Sequence, residues 1–236
     1  MDLKGKDRKG RKRITVEEIN KYDTRSKILK IVAIAAAVLL LITYLFATLY
    51  KESGSFTISV NKHEMVKYGL SLCENKDLSK PTSQLNMRIN QAITNIAEED
   101  LPENVDNIDG DHCGKNHLAY TFYLFNASDV DSVNYEWQIK ASNIQNGIDE
   151  AIRVKLYVDG VPTKYAKTAS DGSGPEPNTT EFYSSDIVAM GRRDDFPSGS
   201  ITKFTIVVWL EGTDPDCLDW IKGGQMRLEM VISIVH

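Results

Sequence analysis

The chain is poor in the residues that most often do chemistry. Its 236 residues include three cysteines and four histidines. It contains no Gly-x-Ser-x-Gly elbow, no Gly-rich phosphate loop and no His-Glu-x-x-His helix. Nucleophile-elbow hydrolysis, P-loop phosphoryl transfer and zincin chemistry therefore have no support in the sequence. His63 and His236 stand without an evident partner. Asp and Glu are abundant, but abundance does not make an acid-base pair, and a hydrolase of another kind would need carboxylates converging in a pocket. The sequence reads as non-catalytic.

Charge is scarce in one place and lopsided elsewhere. Residues 31–50, IVAIAAAVLLLITYLFATLY, carry none. A helix of that length spans about 30 Å, the thickness of a bilayer's hydrocarbon core. A buried soluble helix would need a polar stripe, and Thr43 and Thr48 do not make one. Residues 1–30 hold eleven Lys/Arg against five Asp/Glu, and residues 51–236 hold seventeen against twenty-eight. The net charges are +6 and −11, summing to the −5 of the whole chain.

That asymmetry predicts an orientation. The basic residues 1–30, with KGKDRKGRKR at 4–13, form a cytoplasmic tail, and 51–236 is exported. The lipid bilayer is thus the partner of residues 31–50. The apolar run exceeds a usual signal-peptide core, and LFATLYKESGS offers no clean small-x-small cleavage pair. A retained signal-anchor in the plasma membrane is expected over a cleaved signal. Topology and anionic lipid account for the basic tail, so no nucleic-acid partner is expected. Thr15 and Glu18 fit a capping box for a short helix beside the membrane.

Beyond residue 50 the hydrophobic period is two. SVNYEWQIK (132–140) sets Val133, Tyr135, Trp137 and Ile139 on one face and polar residues on the other. IRVKLYV (152–158) repeats the alternation, and Asp159-Gly160 predicts a hairpin turn into VPTKYAK. KFTIVVWL (203–210) and QMRLEMVISIV (225–235) alternate likewise, while HLAYTFYLF (117–125) is apolar on both faces, as a central strand would be. SFTISV (55–60), EMVKYGLSL (64–72) and LNMRINQAI (85–93) are further candidates. The expected fold is mainly β: one N-terminal transmembrane helix, then an antiparallel β-sandwich of jelly-roll or immunoglobulin-like kind. The acidic 97–116 and the Gly/Pro-rich 169–181 read as loops.

The order SKPTSQLNMRI, HLAYTFYLFNAS, VNYEWQIKASNIQNGIDEAIRVKLYVDG, GPEP, ITKFTIVVWLEGTDPDC, GGQMRLEMVISI resembles a group of uncharacterised, membrane-anchored surface proteins of Firmicutes. More distantly it is similar to secreted β-sandwich proteins of the TasA and camelysin type. The closer resemblance covers about residues 53–235, with VVWLEGTDPDC its most specific part. The distant relatives imply a jelly-roll fold and, for some members, extracellular fibres or matrix.

Two clusters compete for a site. In LEGTDPDCLDWI, Glu211, Asp214, Asp216 and Asp219 offer oxygens to calcium, although the regular twelve-residue calcium loop is absent. The competing reading is a wet turn at Asp214-Pro215-Asp216, with Leu218, Trp220 and Ile221 closing over the sandwich end as a one-turn helical cap. That reading is preferred, a reactive Cys217 thiol is the third, and no cofactor other than calcium is in view. His112, Cys113 and His117 offer three zinc-type ligands but no second pair to complete four, so a solvated turn is expected there. An odd cysteine count leaves one thiol unpaired. Cys73 and Cys113, both near expected strand ends, are the first candidates for a disulfide. Three free thiols are the alternative, since the bacteria implied by the resemblance are largely anaerobic.

The resulting expectation is a single-pass surface protein presenting a sandwich for adhesion or extracellular self-assembly. A carbohydrate- or peptide-binding module, sensory or recognising a cell-envelope ligand through aromatics at one sandwich end, is the other reading. For assembly, YKESGSFTISV (50–60) is the candidate donor strand, against the plainer reading that it is the first strand of its own domain.

Overall fold

The structure, a computed structural model, describes residues 16–52, 55–88, 92–129 and 132–235. The basic run 4–13 and Thr15 of the expected capping box lie outside them. The chain divides between residues 51 and 52 into two units.

The first unit is described from Val16 onward as α1, Val16–Glu52, a single helix of 37 residues whose last residue is counted with the second unit, in place of the expected short helix followed by a span. Within it Thr24–Leu45 has a mean hydropathy of 2.6 and no burial. Ile28, Leu29, Ile31, Ile34, Leu39 and Leu40 all lie open around its circumference. A helix apolar all round is stable only where something other than water surrounds it. This one is long and apolar enough to cross a membrane, a test that a signal sequence also passes.

The second unit is a sandwich of two sheets. Among the described residues its strands are β1 (Ser55–Val60), β2 (Leu70–Cys73), β3 (Gln84–Arg88), β4 (Gly110–Asp111), β5 (His117–Asn126) and β6 (Ser132–Ser142). They continue with β7 (Ile152–Val158), β8 (Val161–Ala166), β9 (Thr180–Glu181), β10 (Ile187–Pro197), β11 (Ile201–Leu210) and β12 (Arg227–Val235). One sheet runs β10-β6-β12-β1-β3, the other β2-β5-β11-β7-β8-β9, with β4 added on β5. Pairing is antiparallel except between β1 and β12 and between β8 and β9, which run parallel.

The alternating residues named above meet in the core between the sheets. Tyr135, Trp137 and Ile139 of β6 face Phe122 and Leu124 of β5 and Phe204 and Ile206 of β11 in one buried cluster. Phe204 stacks on its cross-strand partner Phe122 at 5.2 Å and takes the edge of Trp137 from the opposite sheet at 6.2 Å. Such contacts favour one registration of the two sheets. At the β7–β8 hairpin Asp159 and Gly160 both have positive φ, 50° and 82°, the type I′ geometry that their sequence predicts.

The acidic segment 97–116 is less of a free loop than expected. Its 3₁₀ turns Glu98–Asp100 and Val105–Asn107 lie over the outer face of the second sheet, where Val105, Ala119, Val207 and Trp209 form a second buried cluster. Glu98 accepts from Lys155 at 2.9 Å and Lys164 at 2.5 Å, and Lys203 donates to the Asp106 carbonyl at 2.7 Å. The strap's negative charge is thus matched by lysines of that sheet. This cover explains why β5 is apolar on both faces.

Two expected strands differ, and one strand was not expected. Residues 64–72 open instead as helix α2, Lys62–Tyr68, before β2 begins. The Asn61 side chain accepts the His63 N–H at 2.9 Å, satisfying a donor that the first helical turn leaves over. The 85–93 strand stops at Arg88, and residues 89–91 lie outside the described set. β10 was not legible, because register shifts at Ile187/Ala189 and Arg193/Phe196 break its alternation.

Phe204→Ala is expected to cost about 3–5 kcal/mol, since it empties the junction of both sheets. Ile201→Ala, on the same strand but 40% exposed, should change stability by under about 0.5 kcal/mol. Urea denaturation of the full-length protein in detergent reads both.

Candidate functional site

The loop after β11 descends from a strand whose last residues are pinned by side-chain bonds. Trp209 Nε1 donates to Glu211 Oε2 at 2.9 Å, and Thr213 donates to Glu211 Oε1 from its N–H at 3.2 Å and its hydroxyl at 2.8 Å. Burial pushes the Glu211 carboxyl up, but these hydrogen bonds outweigh it and hold it below its ordinary range. Glu211 is thereby committed to its own loop.

The next acid turns inward. Asp214 is buried, its Oδ1 accepting the Asp216 N–H at 2.7 Å and its Oδ2 lying 2.6 Å from Arg153 Nη2. Arg153 belongs to β7, and its side chain is only 5% exposed. From the loop between β8 and β9, Glu176 approaches the same nitrogen at 3.5 Å. Burial, and after it the Asp214 charge, push the Glu176 carboxyl up, with Arg153 opposing them. Asp216 closes the group, its carboxylate receiving the Ser170 N–H at 2.9 Å and the Ser170 hydroxyl. One oxygen from each of Glu176, Asp214 and Asp216 lies within 4.8 Å of the others.

Of the four acids named from sequence, the structure therefore brings Asp214 and Asp216 together and leaves out the other two. Asp219 lies at the surface, paired with Lys222 at 2.6 Å. Asp214 is not the solvated turn acid of the preferred reading, because β7 places a buried arginine beneath it. Glu176 and Arg153 had no signal that alternation or spacing could supply. The one local hint is that Glu176 stands between Pro175 and Pro177, whose fixed φ angles limit where the loop can point it.

The cap is present with a different leading residue. Asp219–Ile221 forms a one-turn 3₁₀ helix, and Ile221 is buried. Trp220 is 51% exposed and Leu218 53% exposed, so neither closes the sandwich end. Trp220 instead sets the edge of its ring against Gly147, where an added Cβ would come within 2.4 Å of it. Gly147 also has a φ of 52°, so that position excludes a side chain both for space and for backbone.

The expected Cys73–Cys113 disulfide is absent, and all three cysteines are free. Cys73 pairs across β5 with Tyr123, whereas Cys113 Sγ lies by Met87 Sδ at 3.2 Å and near the Ala119 carbonyl at 3.8 Å. Four residues of strand separate Ala119 from Tyr123, about 13 Å, beyond the reach of a disulfide. Burial, with a hydrogen bond to Asp111, pushes the Cys113 thiol up to about 12, and burial also raises Cys73 and Cys217. None of them is poised as a thiolate.

The histidines beside Cys113 serve the strap. His112 places Nδ1 2.8 Å from the Gly110 carbonyl and Nε2 2.7 Å from the Val105 carbonyl, so both ring nitrogens are engaged by backbone. His117 is buried, and that burial holds its pKa below the ordinary value. The expected solvated turn is thus a pinned one. Among the described residues, Glu176, Asp214 and Asp216 are the group with metal-ligand spacing.

No family model matches the chain, and no curated protein matches it.

Arg153→Met is expected to destabilise the domain by about 3–5 kcal/mol, because it leaves two buried carboxylates without their counter-charge. Ile221→Ala should cost about 2–4 kcal/mol and Trp220→Ala nearer 1 kcal/mol, reversing the order that a Trp-led cap implies. Denaturant midpoints of the three variants check both statements.

Proposed function

We propose that the chain is a single-pass plasma-membrane protein with residues 1–30 in the cytoplasm, a retained anchor at 31–50, and a non-catalytic sandwich outside the cell for adhesion or extracellular assembly. The observation that carries this reading is α1, whose Thr24–Leu45 stretch leaves its apolar side chains uncovered while a separate sandwich buries its own. Only a lipid surrounding accommodates such a helix without cost. The +6 and −11 charges on its two sides support the orientation. The resemblance to membrane-anchored surface proteins of Firmicutes points the same way.

The route of assembly differs from strand donation by residues 50–60. β1 is an inner strand, paired with β12 on one side and β3 on the other, and Phe56, Ile58 and Val60 are buried. Releasing it would break both ladders. Of the free edges, β9 has two residues, and β10 is interrupted by bulges and carries Arg192, Asp194 and Asp195. Those features discourage edge pairing. Contact through side chains on the sandwich surface is the favoured route.

Protease added to intact cells is expected to degrade residues 51–236 and to spare a fragment carrying an N-terminal tag. Loss of the N-terminal tag under these conditions rejects the orientation. A mature N-terminus near residue 50 rejects the retained anchor. Sedimentation of the full-length protein in detergent should show concentration-dependent association that survives mutation of β10's charges. A monomer that binds cell-wall glycan would replace assembly with the carbohydrate-binding reading.

A further inference from the structure

The meeting point of Glu176, Asp214 and Asp216 holds more negative charge than its single guanidinium balances. One of its buried carboxylate oxygens also lacks the hydrogen bond that burial ordinarily demands. The Asp214 side chain is fully buried, yet its Oδ2 finds no hydrogen-bond partner among the described residues. The contact it does make there is the ion pair with Arg153 Nη2 at 2.6 Å. The Glu176 side chain is 6% exposed, and among the described residues its ion pair is the 3.5 Å approach to the nitrogen that Asp214 already holds more closely. A buried carboxylate left in this condition costs free energy unless a proton or a cation neutralises it, and only a cation can serve all three carboxylates at once.

We propose that Glu176, Asp214 and Asp216 bind a divalent cation of the calcium type, which joins the loop between β8 and β9 to the loop between β11 and β12. The spacing fits. Oxygens on opposite sides of a calcium ion stand about 4.6–5.2 Å apart, and the three oxygens here lie within 4.8 Å of one another. Asp216 is held in place by Ser170, and Asp214 is fixed by the Asp216 N–H, so two ligands are oriented before the ion arrives. The third comes from a loop rich in glycine, and a ligand set drawn from two irregular loops suits calcium's loose geometry better than the octahedron that magnesium requires. Three carboxylates leave part of the coordination to water. That places the affinity in the weak class, about 0.1–1 mM. The inference goes beyond the functional reading above and does not depend on where the domain resides.

The test uses the full-length protein in detergent micelles, with calcium chloride as the ligand and magnesium chloride as the screening control. Calcium at about ten times its Kd should raise Tm by roughly 3–5 °C, and magnesium at the same concentration should not. Glu176→Gln should act in opposite directions in the two conditions. Without cation it relieves the repulsion among the carboxylates and raises Tm; with calcium it loses the shift. A merely structural glutamate would not produce that crossing. Asp216→Asn should likewise lose the shift, and Asp219→Asn, outside the cluster, should keep it. Calorimetric titration of calcium into the unmutated protein reads binding directly, so an unfolded variant does not spare the proposal. No heat and no Tm shift, an equal shift with magnesium, or a shift that survives both Glu176→Gln and Asp216→Asn overturns it.

Discussion

β11 is buried on both faces, and most of the second unit is arranged around that constraint. Phe204, Ile206 and Val208 point into the space between the sheets, while Val207 and Trp209 point the other way and are buried as well. A strand in that position needs a sheet in front of it and a cover behind it. The first sheet supplies the former through Trp137, and the strap over 96–107 supplies the latter. The strap is acidic for a physical reason: the lysines around that buried cluster, Lys155, Lys164 and Lys203, meet its Glu98 and Asp106. Charge and apolar burial thus hold the same segment.

Most inner strands were readable because alternation is a direct image of a sheet with one wet face. β6 and β12 follow it throughout and β7 in part, β11 alternates only at its start because its outer face is covered, and the hairpin at Asp159-Gly160 follows from its turn chemistry. Where alternation failed as a guide, a local interaction had taken over. The Asn61 cap turned part of an apparent strand into α2, and bulges hid β10. The strap's 3₁₀ turns were hidden by composition, since an acidic stretch reads as solvated until the lysines opposite it are known.

The acidic site was half legible for a different reason. Asp214 and Asp216 sit two residues apart, so their association is local and visible in sequence. Glu176 lies 38 residues before Asp214 and Arg153 lies 61 before it, which only the sheet order makes near. Alternation did not assign Arg153 to the core and so left it for solvent, yet the neighbouring loops bury it. Long-range electrostatic groups of this kind carry no period. The disulfide failed on similar grounds, because nearness to a strand end says nothing about which stretch of β5 each cysteine meets.

The parallel ladder between β1 and β12 sets the order in which the sandwich can be completed. β1 follows closely on α1 in the chain, so it is among the first parts of the domain to be made. Its partner is β12: Phe56 pairs with Leu228, 172 residues later. Until that strand exists, β1 has only the short β3 on its other edge. Closing a loop of that length before its contacts repay the entropy is slow, and sheets joined in this way fold late in their own synthesis. The domain therefore cannot mature piecemeal behind its helix. That edge of β1 stays unpaired until β12 is made.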